Sequence, residues 1–143
     1  METIYIINMK RALFLSLLML AGLAASAQTY IGTMKVGKET HKDVYVKLTV
    51  TGDTATIFVH GVFMDHLGHY KIDLTIPDIH VDEQSQRSVL WCYNITPTYG
   101  EETYDEYLVR KLKGSIAVGV LSFSCTMDET PVTFSGVINK RLR

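Results

Sequence analysis

Apolar and polar residues alternate without a break over residues 43–51 (DVYVKLTVT). Val44, Val46, Leu48 and Val50 take one face; Tyr45, Lys47, Thr49 and Thr51 take the other. A period of two, rich in β-branched residues, is the pattern of a strand buried on one side. Gly52-Asp53 follows, a two-residue loop with glycine first, suited to a type II′ turn. Residues 54–64 then alternate again, with Ala55, Ile57, Val59, Gly61 and Phe63 on one side. Folding the two segments about this loop sets Thr51 opposite Thr54, Val50 opposite Ala55, Leu48 opposite Ile57, Val46 opposite Val59 and Val44 opposite Gly61. A slip of one residue would turn every apolar side chain to the wrong face, so the pattern predicts this register.

The same signal predicts further strands at 30–36, 69–77, 87–96, 105–113, 115–125 and 132–141. Turn residues separate them: Gly37-Lys38, residues 65–68, residues 97–100, Gly114 and residues 128–131. No helix-period segment interrupts the series. Eight short strands in succession predict an all-β fold, a single eight-stranded up-and-down antiparallel barrel. Closure of the barrel removes exposed strand edges.

The N-terminal stretch stands apart from this pattern. Met9-Lys10-Arg11 brings positive charge, residues 12–24 (ALFLSLLMLAGLA) are apolar, and Ala25-Ser26-Ala27 fits a small-residue cleavage pattern. The combination predicts a signal peptide over 1–27, with Met9 as the initiator, and a barrel domain over 28–143. The apolar run is about 13 residues, short of the roughly 20 that cross a bilayer as a helix. Gln28 offers no thiol for a lipid. The expectation is an exported protein, periplasmic or extracellular, with no membrane span in the mature chain. A formal net charge of −1 and no basic run give no footprint for nucleic acid.

Short segments of this chain bring a family into view: Tyr30-Ile31-Gly32-Thr33-Met34-Lys35-Val36, Ala55-Thr56-Ile57, Leu74-Thr75-Ile76-Pro77-Asp78-Ile79-His80-Val81 and Pro131-Val132-Thr133-Phe134-Ser135-Gly136. Their order resembles the calycin-like domain of small proteins exported by gut Gram-negative anaerobes. The resemblance implies an eight-stranded, lipocalin-like barrel. It implies no catalytic residues.

Residues 60–73 (HGVFMDHLGHYKID) hold three of the five histidines. With 65–68 as a loop, Phe63 faces Tyr70, Gly61 faces Ile72 and His60 faces Asp73. Phe63, Tyr70, Ile72 and Leu74 then point inward. His60 and His69 lie four pairs apart, on the order of 13 Å along the strands. A zinc ion needs ligands at about 2.0–2.1 Å, so His60 cannot share one with His66 and His69. Asp65, His66 and His69 remain together at the turn, without a known metal spacing such as H-E-x-x-H. A solvated turn accounts for them, and no metal, cofactor or catalytic residue is predicted. G-x-S-x-G, P-loop and dinucleotide motifs are also missing from the sequence.

Cys92 and Cys125 fall on the fifth and seventh predicted strands. Next-nearest strands are about 9.5 Å apart, and a disulfide needs Cα atoms within about 7 Å, so both thiols are expected free. Three readings of function follow. In the first, the protein binds a small apolar ligand in or at the mouth of the barrel, against Val46, Leu48, Ile57, Val59, Phe63, Tyr70, Ile72, Leu74 and Trp91. These residues equally suit a filled core, since eight strands enclose little more than their own side chains. In the second, Tyr99, Tyr104 and Tyr107 in the acidic loop 97–107 contact a protein or glycan partner. In the third and weakest, a metal-dependent hydrolase uses Asp65, His66 and His69. A binding protein, not an enzyme, is the expectation.

Overall fold

Alternation along the chain becomes strand after strand in the computed structural model, which describes residues 26–64, 68, 71–100, 102–103 and 108–139. The elements are β1 (Ser26–Val36), β2 (Glu39–Thr51), β3 (Thr54–Met64), β4 (Lys71–Glu83), β5 (Ser88–Ile95), β6 (Thr98–Tyr99), β7 (Glu102–Thr103), β8 (Val109–Ala117), β9 (Val120–Met127) and β10 (Thr130–Ile138). The strands hydrogen-bond in the order β3-β2-β1-β10-β9-β8-β5-β4, and β4 pairs back onto β3. Eight antiparallel strands therefore close into a barrel with the architecture of calycin-like proteins. β6 and β7 form a small extra hairpin whose first strand pairs with Leu74 and Thr75 of β4.

The first hairpin has the register read from the sequence, from Thr51–Thr54 through Val46–Val59. Gly52 takes φ +63, the positive value that a type II′ turn demands of its first residue. The Val44–Gly61 pair does not form, because β3 bulges there. Gly61 adopts φ +62, open to glycine at little cost, and the β3–β4 register shifts between Val59 and Phe63. Phe63 consequently pairs with Ile72 and Met64 with Lys71, two residues from the expected Tyr70 and His69. Asp73 stabilises the bulge: its Oδ1 accepts the Gly61 N–H at 3.0 Å and lies 2.9 Å from Nδ1 of His60. The expected His60–Asp73 pair thus forms on the outer face.

Further bulges reset the alternation, one of them at Asp43 (φ +56) in β2, where the β1–β2 register shifts between Gly32 and Met34. Asp78 in β4 (φ +56) and Lys111 in β8 (φ +52) lie in the left-handed region. In β4 the inward residues change phase from Leu74 and Ile76 to Ile79 and Val81; in β8 they change from Val109 to Leu112. The turn expected at Gly114 is displaced to Val118-Gly119, where Ala117 pairs with Val120. Gly114 is an interior strand position instead. A side chain there would strike the Ser122 carbonyl and the Phe123 side chain, so glycine allows close approach of the two strands.

Apolar side chains line the barrel interior. Val46, Leu48, Ile57, Val59 and Leu74 are buried as expected, and Phe63 and Ile72 are half-buried against them. Tyr70 lies outside the described residues. Phe123 and Phe134, paired across β9 and β10, stack at 5.5 Å between centroids. Each fully buried aliphatic or aromatic side chain contributes roughly 1.5–3 kcal/mol through removal from water. Cys92 on β5 and Cys125 on β9 are buried and free, with β8 between them.

Candidate functional site: an aromatic corner on the outer wall

Hydrocarbon, methionine and thiol groups make up the buried set, together with the hydroxyls of Tyr30 and Tyr99. No charged or amide side chain is buried among the described residues. Such an interior offers little with which to orient a ligand, since small-molecule sites combine apolar walls with a few placed polar groups.

Trp91, expected in that interior, stands on the opposite face. Leu90 and Cys92 point inward on β5, so alternation turns Trp91 and Tyr93 outward. His80 of β4 pairs with Trp91 in the ladder. Their rings stack with centroids 4.3 Å apart and planes 20° from parallel. The Tyr93 ring meets the indole at 5.5 Å and 72°, and is 73% exposed. The indole N–H donates a 2.9 Å hydrogen bond to Oδ2 of Asp82. Three rings thus form a corner with one wall flat and one upright. Neighbours on both sides restrict the indole.

The corner sits where the wall splits. β4 and β5 pair from Glu83–Ser88 as far as His80–Trp91, and there the ladder stops. Pro77 has no N–H to continue it, and Asp78 bends the strand. β4 resumes pairing with β6 at Thr75–Thr98 and Leu74–Tyr99, displaced by two residues from the β5 register. The strands part around an open cleft of about 520 Å³, lined among others by Pro77, Asp78, Tyr93, Asn94, Ile95 and Thr96. On the far side, Lys111 lies between the Cys92–Leu112 and Asn94–Arg110 pairs. Two non-glycine residues with positive φ, Asp78 and Lys111, therefore flank this part of β5. Backbone strain of that kind gathers at functional sites.

Of the loop tyrosines expected to meet a partner, one is described. Tyr99, expected at an exposed loop, is 9% exposed and packs edge-on against Phe63 at 6.1 Å. Pairing of β6 with β4 draws it inward. Tyr104, Tyr107, Asp65, His66 and His69 lie outside the described residues. No group of three or more His, Cys, Asp or Glu among the described residues is placed to hold a metal ion. The thiols are poor nucleophiles. Burial raises the pKa of Cys92, partly offset by its hydrogen bond with the Leu112 backbone. Burial, with the nearby Cys92 charge adding to it, pushes Cys125 up to about 12.

Residues 90–93 (LWCY) carry a signal for the corner, because alternation places Trp91 and Tyr93 on one face. Which face that is depends on the β4 bulge, and the partnership with His80 depends on the two-residue break between β5 and β6. Comparison with protein-family models, with curated proteins and with solved structures gives no match for the chain.

Proposed function

We propose that this protein is a non-enzymatic binding module that takes a saccharide on its outer wall, at the corner formed by His80, Trp91 and Tyr93. The observation that carries the reading is the fixed indole, stacked by His80 and hydrogen-bonded by Asp82, beside an open cleft. A pyranose has one face rich in C–H groups and a rim of hydroxyls. The C–H face packs against an aromatic plane, and the rim needs hydrogen-bonding groups nearby. Asp78, Asn94 and Thr96 supply such groups in the cleft. Aromatic anchors with few rotatable bonds lose little entropy on binding.

A carrier function inside the barrel has less support, because no charged or amide side chain is buried among the described residues to orient a ligand there. A membrane-spanning barrel needs an apolar outer band. Here the outer wall presents Lys35, Lys47, Lys113, Ser124 and Thr133, a polar exterior that favours an aqueous setting. Export through the N-terminal segment belongs to the same proposal.

Trp91 is the sole tryptophan of the chain, so its fluorescence reports directly on the corner. Titration with neutral oligosaccharides is expected to shift the emission, and Trp91→Ala is expected to abolish binding measured by calorimetry. Saccharide binding unchanged in Trp91→Ala would remove the corner from consideration.

A further inference from the structure

The geometry points to an acidic sugar as the ligand of this surface, with its anionic group held in a second groove that adjoins Trp91. The inference rests on the saccharide reading and adds the charge of the ligand. Across the ladder from Trp91 stands Lys113 of β8, and across from Lys113 stands Ser124 of β9. One row along, Val89 pairs with Ser115 and Ser115 with Ser122. Each step between strands is about 4.8 Å, so the row from Trp91 through Lys113 to Ser124 extends on the order of 10 Å. That span suits a short run of sugar residues lying across the strands.

Chemistry along the row changes sign. The cleft on the β4 side contains Asp78, and Asp82 lies at the edge of the corner. The groove on the β8–β9 side, about 520 Å³, is lined by Arg87, Lys113, Ser115, Ser122 and Ser124, with no carboxylate among its lining residues. Gln84 positions Arg87: its Oε1 accepts the Arg87 Nε–H at 3.3 Å, and the Gln84 N–H bonds to the Arg87 carbonyl at 2.8 Å. The contact uses Nε, so the terminal guanidinium nitrogens take no part in it. Guanidinium, ammonium and hydroxyl donors together match an oxyanion such as a carboxylate or a sulfate ester. The chain as a whole has a net charge of −1, so this basic groove is a local feature and not part of a general positive field. A sugar ring on the indole would place an anionic substituent of the ring, or of its neighbour, over Lys113.

The experiment is a Trp91 fluorescence titration of the full chain with three tetrasaccharides: tetragalacturonic acid, a sulfated chondroitin tetrasaccharide and neutral galactotetraose. Expected is at least about tenfold tighter binding of one or both acidic ligands in about 50 mM salt, shrinking severalfold near 500 mM as screening sets in. Tighter binding of the sulfated ligand than of tetragalacturonic acid indicates that sulfate adds to what a carboxylate provides, since the chondroitin tetrasaccharide carries both groups. In the double variant Arg87→Gln, Lys113→Gln the acidic ligands are expected to fall to the affinity of the neutral one. Lys47→Gln, which removes one positive charge from a distant part of the wall, is expected to keep the preference. Retention of the circular dichroism spectrum and melting temperature confirms that the double variant folds. Equal affinity for acidic and neutral ligands in the wild type overturns the charge inference and leaves the aromatic reading standing. Failure of all three to bind overturns both.

Discussion

Asp82 accepts the indole N–H of Trp91 at 2.9 Å, a contact between neighbouring strands that holds the ring of the sole tryptophan against His80. The carboxylate is exposed, so this bond orients the ring more than it stabilises the barrel. Asp82→Ala is expected to change unfolding free energy by less than about 1 kcal/mol. Saccharide affinity should nevertheless fall severalfold, because the ring regains the freedom that binding must then remove. Asp82→Asn, which keeps an acceptor, should retain most of the affinity. Paired denaturation and calorimetry measurements check this, and an equal loss in both variants would argue that charge, not orientation, is what matters.

Interior substitutions should separate from this behaviour. Ile57 is fully buried at the centre of the core, and Ile57→Ala is expected to cost about 2–5 kcal/mol in urea denaturation. Binding at the outer corner should survive in the folded fraction with its dissociation constant changed by less than about threefold. A ligand held inside the barrel would instead lose affinity in proportion to the cavity created.

The two thiols give a prediction in alkali. The Cys125 pKa is raised in the folded state, so its protonated form is favoured by folding. Its contribution to stability is full below the unfolded value of 9.0 and is lost as pH rises toward about 12. Over that window the slope for one such group is at most about 1.4 kcal/mol per pH unit. Tyr30, also raised by burial, adds a component above its ordinary value of 10.0. Denaturation midpoints should therefore decline from pH 9 upward, and Cys125→Ala should flatten the early part of that decline. Cys92, which lines the cleft, should be alkylated before Cys125 in the native protein.

Glycine substitutions at two strand positions should differ sharply. At Gly61 a β-carbon would meet nothing within 4 Å, so Gly61→Ala carries only the strain of a positive φ, about 1–2 kcal/mol. At Gly32 the same carbon would collide with the Ser135 backbone across the β1–β10 seam. Gly32→Ala must push two strands apart and is expected to cost several kcal/mol or to prevent folding. Thermal melts of the two variants make the comparison.

Much of the wall was legible because alternation and turn chemistry agree. Residues 43–59 announce both the facing and the pairing of β2 and β3, since Gly52-Asp53 fixes the loop and every inward residue is apolar. Legibility failed where one extra residue enters a strand. Nothing local in Asp78 or Lys111 marks a left-handed backbone, yet each reverses the facing of everything beyond it. The displaced turn has a similar cause: Gly114 reads as a breaker, while its place in the strand is set by the approach of Phe123, a contact that only tertiary structure reveals. The sequence does not fix the facing of β5, and a large apolar ring at Trp91 suits a core as readily as a wall. The inward place was already taken by Cys92, a smaller residue that fits between Leu112 and its neighbours. The aromatic corner itself needs β4 and β5 to pair and then part, a relation between distant residues.

Closing β4 onto β3 has a consequence for how such a chain can change over time. Most wall strands already have two partners, which leaves few backbone amides open to another molecule. Recognition on the wall is therefore delegated to side chains, and those side chains are alternate letters of the sequence. Positions such as 89, 91, 93, 113, 115, 122 and 124 can vary while 90, 92, 112, 121 and 123 hold the barrel closed. One set of letters can drift toward a new ligand without renegotiating the other, so the scaffold is a surface on which specificity is rewritable.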